Sequence, residues 1–186
     1  MPRGPRNSSP PCTSRAETVA SNPPKANTPA TLLLRQRSVG FAVHEFAHVS
    51  GERNYGTVAA ESLGIEPDRV FKTLLASVEG LAPPGVAVGI VPVSGQLSLK
   101  KLAHAVGGKR AQMCDPAVAQ RITGYVVGGI SPFGQKKLLP TAIDESCHRY
   151  GTIFVSGGKR GLEIEIAPDD LIEVLHAAVA PISVAR

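Results

Sequence analysis

Aromatic residues are scarce in this 186-residue chain, at 4%, and tryptophan is missing altogether. Any core must therefore be built from Val, Leu, Ile and Ala, drawn from the 42% of residues that are apolar. Cysteine is rarer still. Cys12, Cys114 and Cys147 show no C-x-x-C spacing, which argues against a disulfide scaffold and leads us to expect a reducing, cytoplasmic setting. The longest clean apolar run is about Val86–Val91, far short of the roughly 18–20 residues that cross a bilayer, so no membrane association is expected. Arg3 and Arg6 have no apolar segment behind them of the kind a secretory leader carries. Charge is modest too, 20 basic against 15 acidic residues giving +5. The length suits one domain, two at most.

Proline, by contrast, crowds one end. Seven of the sixteen prolines precede residue 30, among many Ser, Thr and Asn. Such a segment buries too little apolar surface to offset its ordering entropy, so residues 1–28 are expected to be a disordered basic extension and 29–186 the folded domain. Four basic residues and one acidic fall in the extension, which leaves the remainder at 16 − 14 = +2.

Regular patterns begin at Thr28-Pro29, a cap followed by proline at the first helical position, leading into a helix over 30–37. Residues 40–49 suit a strand or a helix. A helix is expected over 56–63, ending at Gly64, then strands over 70–78 and 86–93. Ser98 caps a helix with Leu99, Leu102, Ala103 and Val106 on one face, and a short helix follows over 116–122. Residues 152–156 and 162–166 read as paired strands joined by Gly157–Gly161. A last helix is expected over 168–179, with Asp169 and Asp170 at its positive end. Strands and helices mix without strict alternation, so the expected class is α+β around a mixed, curved sheet.

Three patterns carry chemistry. His44-Glu45-Phe46-Ala47-His48 is an H-E-x-x-H string; on a helix its histidines would share a face and hold zinc, with Glu45 as general base. Glu61, Glu66 or Glu79 would have to supply the third ligand, and none sits in a recognisable motif. Lys72 stands inside a strongly apolar strand, Phe71-Lys72-Thr73-Leu74. Burying a lysine there is costly unless an anion meets it, although an edge-strand lysine snorkelling to water accounts for the pattern equally well. The stretch 124–134 holds four glycines, whose backbone N–H groups can approach a ligand, and Ser131 adds a hydroxyl; ordinary turn chemistry gives such clusters as well. Neither this stretch nor Gly157–Gly161 fits a phosphate-binding P-loop. Basic pairs at 100–101, 109–110, 136–137 and 159–160 suggest a track for a phosphate backbone.

The string Phe71-Lys72-Thr73-Leu74, the block from Thr123 through Gly128-Gly129-Ile130-Ser131-Pro132-Phe133-Gly134 to Lys137, and the run from Val155 to Pro168 occur in an order that closely resembles the YbaK/EbsC family. These are freestanding Cys-tRNA(Pro) deacylases related to the editing domain of bacterial prolyl-tRNA synthetase. The resemblance runs from about Leu32 to Ile182. It implies a partly barrel-like sheet flanked by helices, no cofactor and no metal, mischarged Cys-tRNA(Pro) as substrate, and prolyl-tRNA synthetase as a docking partner. It implies Lys72 as the central functional residue, with the Gly128-Gly129 backbone polarising the ester and Phe46, Tyr55, Thr73, Ser131 and Glu163 around the substrate. The family usually has tyrosine at the Phe46 position and phenylalanine at the Tyr55 position, the reverse of this chain. The substrate's own cysteine thiol is expected to perform the displacement. A zinc peptidase built on His44 and His48, and a tRNA-binding module without catalysis, are the alternatives.

Overall fold

The structure, a computed structural model, describes residues 26–47 and 55–185. The expected proline-rich extension falls mostly on residues 1–25, and His48 on 48–54; both lie outside the described residues. The boundary at 28 is too late. Ala26 is buried, and Thr28 Oγ1 donates to the Gly157 carbonyl at 2.6 Å, so the ordered chain is already pinned at 26–28.

Among the described residues there are five α-helices and ten strands. Helix α1 (Pro29–Gln36) starts in a capping box formed by Thr28 and Thr31. Within the stretch 40–49, read as strand or helix, Phe41–Glu45 form strand β1. Helix α2 (Tyr55–Leu63) ends at Gly64, whose φ of +65 suits glycine. A 3₁₀ turn at Pro67–Arg69 leads into β2 (Val70–Glu79), which turns back into β3 (Val86–Pro92). Every residue of β3 is buried, as befits a central strand covered on both faces.

Strand β4 (Gln96–Leu97) precedes α3 (Leu99–Ala105), which Ser98 caps. Strand β5 (Arg110–Met113) leads to α4 (Pro116–Thr123), capped by Asp115. Strand β6 (Thr141–Asp144) comes next, then the hairpin of β7 (Ile153–Ser156) and β8 (Leu162–Ile166). Helix α5 (Pro168–Leu175) stops four residues before the expected end, because His176 adopts the left-handed conformation at φ 50. The chain is thereby freed to form β9 (Ala178–Ala180), which pairs with β6, and β10 (Ser183–Val184), which pairs with β4. Ala178 and Val179, read as helical from their apolar spacing, are instead extended.

The main sheet runs β1-β8-β7-β2-β3-β6-β9, mixed in direction, with β5 also on β2. One face carries the larger core, in which Phe71, Ile90, Val155 and Ile164 meet α1, α4 and α5. On the other face α2 covers Val70, Val93 and Phe154, and α3 covers Ala76 and Val91.

Strand β2 has two different neighbours on one of its sides. β7 pairs in parallel with Val70 and Phe71, and β5 pairs antiparallel with residues 76–79. Between them, residues 72–75 have no strand partner on that side among the described residues. The sheet splits here, in its middle.

A cavity at the split in the sheet

The split opens into a cavity of about 350 Å³, a size common for small-ligand sites. Lys72, Thr73, Ser156 and Glu163 line it, with the start of α2 (Tyr55–Thr57) on one side. Met113, Cys114, Ala119, Val127 and Ile130 supply an apolar wall.

Strand geometry fixes what the gap presents. The Val70 carbonyl accepts from Val93 N–H and the Val78 N–H donates to the Gly85 carbonyl, so even-numbered peptides of β2 face β3. The Leu75 carbonyl accepts from Cys114 N–H on the opposite side. By the two-residue period, the Thr73 peptide is directed into the split, where no strand meets it. The side chain beside it is also unmatched. Thr73 Oγ1 is buried with no hydrogen-bond partner among the described residues.

Register places three further groups in one row. Phe71 lies opposite Val155, so Lys72 falls beside Ser156, and Ser156 lies opposite Glu163. All three share the face covered by α2, and at the usual strand spacing Lys72 and Glu163 stand roughly 10 Å apart. Lys72 Nζ donates to the Gly95 carbonyl at 2.6 Å, which answers how a lysine is tolerated in an apolar strand. Glu163 is 9% exposed, and its Oε2 has no partner among the described residues. Burial pushes the Glu163 carboxyl up to about 8.

Gly128 closes the site from above, at φ +87. A Cβ there would stand 2.4 Å from the Tyr55 ring, so glycine is required both for the backbone and for the ring's close approach. The Arg160 guanidinium lies over the Tyr55 ring, 4.8 Å from its centroid, and donates to the Val127 carbonyl through Nε and Nη2. The two glycine-rich turns are thereby tied together across Tyr55.

Other expected site residues are placed elsewhere. Gly129 spends its N–H on the Val126 carbonyl and packs against the backbone of Lys159 and Arg160, so it is not available to polarise an ester. Ser131 is fully buried, and its hydroxyl accepts from Phe133 N–H, a turn lock outside the cavity wall. Tyr125 completes that lock by donating to the Phe133 carbonyl at 2.7 Å. Phe46 packs with Ala59, Val70 and Phe154 beneath α2, outside the cavity lining. The basic pairs also part company. Arg110 faces Glu79 at the far end of β2, whereas Lys159 reaches Glu45 and Arg160 stacks on Tyr55, a residue of the cavity lining.

His44 and Glu45 lie on β1, so the helical spacing that would align His44 with His48 does not apply. His44 Nε2 lies 2.9 Å from Glu165 Oε2, and Arg69 Nη2 lies 2.9 Å from Glu165 Oε1, which also accepts from Thr152. Partial burial raises the Glu165 carboxyl, but the Thr152 and His44 hydrogen bonds and the charges of His44 and Arg69 outweigh it, leaving the pKa below its ordinary value. This cluster is an ion-pair network, and His44 belongs to it.

Two lining residues were not legible as site residues. Ser156 ends an apolar strand and shows its place only through the hairpin register. Cys114 carries no activating motif and reaches the wall because β5 ends beside Leu75.

A family model described as the aminoacyl-tRNA editing domain matches residues 54–174. The chain is 37% identical over 169 residues to a protein of Enterococcus faecalis named as a Cys-tRNA(Pro)/Cys-tRNA(Cys) deacylase, EbsC; the match covers 89% of this chain and 98% of that one. Among solved structures, a protein described as a trans-editing enzyme for prolyl tRNA synthetase superposes with a TM-score of 0.73 at 24% identity, covering 84% of this chain and 96% of its own. A hypothetical protein superposes with a TM-score of 0.73 at 19% identity, over 84% of this chain and all of its own. These structural likenesses establish the fold.

Proposed function

The chain belongs to the aminoacyl-tRNA editing domain family, and on that premise we propose that it is a trans-acting deacylase that removes cysteine mischarged on tRNA(Pro). The observation that carries this reading is the cavity at the split in the sheet. It has room for an aminoacyl group, and among the described residues it offers Lys72, the buried Glu163 and a Thr73 peptide that no strand meets, within a mainly apolar lining.

The roles follow from chemistry. Lys72 supplies positive charge for the 3′-terminal phosphate or for the ester oxygen as charge develops on it. The Thr73 peptide, which no described strand meets, and the Thr73 hydroxyl, which has no described partner, face the ester. An aminoacyl ester is already activated, so positioning accomplishes much of the work. Cys147 is no competitor as a nucleophile, because burial and then the nearby Asp144 charge push its thiol up to about 11. In our reading the substrate's own thiol attacks its carbonyl carbon. The S–C bond forms, the ester C–O bond breaks, and the thiol proton passes to the tRNA 3′-oxygen; water then opens the thiolactone. Glu163 and Tyr55 hold the aminoacyl end, with Gly128 giving the Tyr55 ring its room.

Prolyl-tRNA synthetase is the proposed docking partner, and the cytoplasm the proposed place of work. No described helix is long and apolar enough to cross a membrane.

The test is single-turnover deacylation of Cys-tRNA(Pro) beside Ala-tRNA(Pro). Cysteine release at least tenfold faster than alanine release is expected, since only cysteine carries the thiol. Equal rates would remove the thiol-assisted step. Tight tRNA binding without release of either amino acid would make the protein a binding module.

A further inference from the structure

Glu163 and the groups around it give the cavity a second polar end. The carboxyl lines the cavity, is 9% exposed, and has an oxygen without a partner among the described residues. Among the described residues, the cations of the neighbouring strands and turns are committed elsewhere. His44 and Arg69 bind Glu165, Lys159 reaches Glu45 at 3.4 Å, Arg160 stacks on Tyr55, and Lys72 donates to the Gly95 carbonyl. Across β7, the Lys72–Ser156–Glu163 row keeps lysine and acid roughly 10 Å apart, two strand spacings. Once ionised, such a carboxyl needs a counter-ion, and its Oε2 finds no partner among the described residues.

This inference rests on the reading that the cavity takes an aminoacyl ester. Such an ester has one cationic group, its α-ammonium; the ribose and adenine are neutral and the phosphate is anionic. We propose that Glu163 is the receptor for the substrate's α-ammonium group, so that the site selects a free aminoacyl ester over one whose amine is blocked. Lys72 at the opposite end of the row then takes the anionic or carbonyl end, and the pair sets the direction in which the ester lies. The raised pKa of the empty site agrees with this: a carboxyl kept neutral by burial gives up its proton as the ammonium becomes its counter-ion.

The probe is a non-hydrolysable mimic of the charged 3′ end, 3′-deoxy-3′-(L-cysteinylamino)adenosine, titrated calorimetrically beside its N-acetyl derivative. A hydrogen bond between charged groups implies roughly a 10- to 100-fold weaker binding of the acetylated form. Glu163→Gln should weaken the free-amine probe to nearly the affinity of the acetylated one and leave the acetylated one little changed. Equal binding of both probes by the unsubstituted protein overturns the proposal, without any variant having to fold. Retention of the full preference in Glu163→Gln overturns it as well. Deacylation is assayed separately on Cys-tRNA(Pro). Amine-selective binding without turnover would leave this assignment standing and remove the catalytic reading, whereas turnover with no amine preference would do the reverse.

Discussion

Glu163 and Glu165 stand two residues apart on the same face of β8, in the symmetrical stretch Leu162-Glu163-Ile164-Glu165-Ile166, yet their circumstances are opposite. Glu165 is met by His44, Arg69 and Thr152, and its pKa is held down. Glu163 has an oxygen, Oε2, with no hydrogen-bond partner among the described residues, is more deeply buried, and its pKa is driven up. The difference comes from the neighbours across the sheet. Glu165 faces Phe154 and Ala42, at a level where Arg69 and Thr152 converge, whereas Glu163 faces Ser156, one step from the split. One carboxylate has become a structural tie, and the other an open site. A partnered buried acid speaks for stability, and an unpartnered one beside a cavity speaks for a ligand.

The largest expected effect lies at the far end of the row that Glu163 shares. Lys72→Ala should reduce kcat/KM for Cys-tRNA(Pro) by about 100-fold or more, in line with removal of a preorganised charge from a site. Its far-ultraviolet circular dichroism should match that of the unsubstituted protein. Wild-type turnover in this variant would take Lys72 out of the mechanism.

The second prediction separates the two glutamates through pH. Glu163 binds its proton more tightly folded than unfolded, so stability should fall as pH rises from the ordinary carboxylate range to about 8. Glu165 has the opposite sign: its contribution is present above its ordinary pKa and lost as pH drops through the lowered one. Glu163→Gln should therefore flatten the fall in Tm between the ordinary carboxylate range and about pH 8, and Glu165→Gln the fall on acidification below that range. At neutral pH the Glu165 variant should lose about 1–2 kcal/mol, as hydrogen bonds to charged partners are removed, with deacylation little affected. Identical melting curves for the two variants would erase the distinction drawn between them.

A smaller effect is expected at Gly128. Alanine there combines a strained positive φ with contact against the Tyr55 ring, which should cost about 1–2 kcal/mol. A raised KM should accompany it as Tyr55 is displaced. An unchanged KM would mean that the ring does not shape the substrate's seat.

Much of this was local and could be read along the chain. Thr28-Pro29, Ser98 and Gly64 mark helix ends through hydrogen bonds and dihedral preferences that span only a few residues. The strands around Phe71 and Ile90 follow from their β-branched and apolar content. The lysine at position 72 stood out because an ammonium in such a strand demands a partner. Less legible were positions whose roles depend on distant chain. Gly129 and Ser131 share a glycine-rich stretch with Gly128, and only Gly128 meets the cavity, because turn hydrogen bonds consume the N–H of one and the hydroxyl of the other. Phe46 lies under α2 for a similar reason, packed where β7 and β2 bring Phe154 and Val70 together. The helical reading that made His44 half of a metal site gives way where His44 lies on β1 and meets Glu165.

What the sequence by itself determined was the inventory: an aliphatic α+β domain with one conspicuous lysine, two acids on a short strand and turns rich in glycine. It also carried, in three ordered blocks, the resemblance that names the family. The tertiary structure alone decided that β7 and β5 leave residues 72–75 of β2 without a strand partner on one side among the described residues, and that one acid is held by partners while its twin's Oε2 has none. Local preferences act over a few residues, but strand register and the identity of a carboxylate's neighbours are set by packing between segments almost a hundred residues apart. Glu163 and Glu165 are alike in every local respect, and only the fold tells them apart.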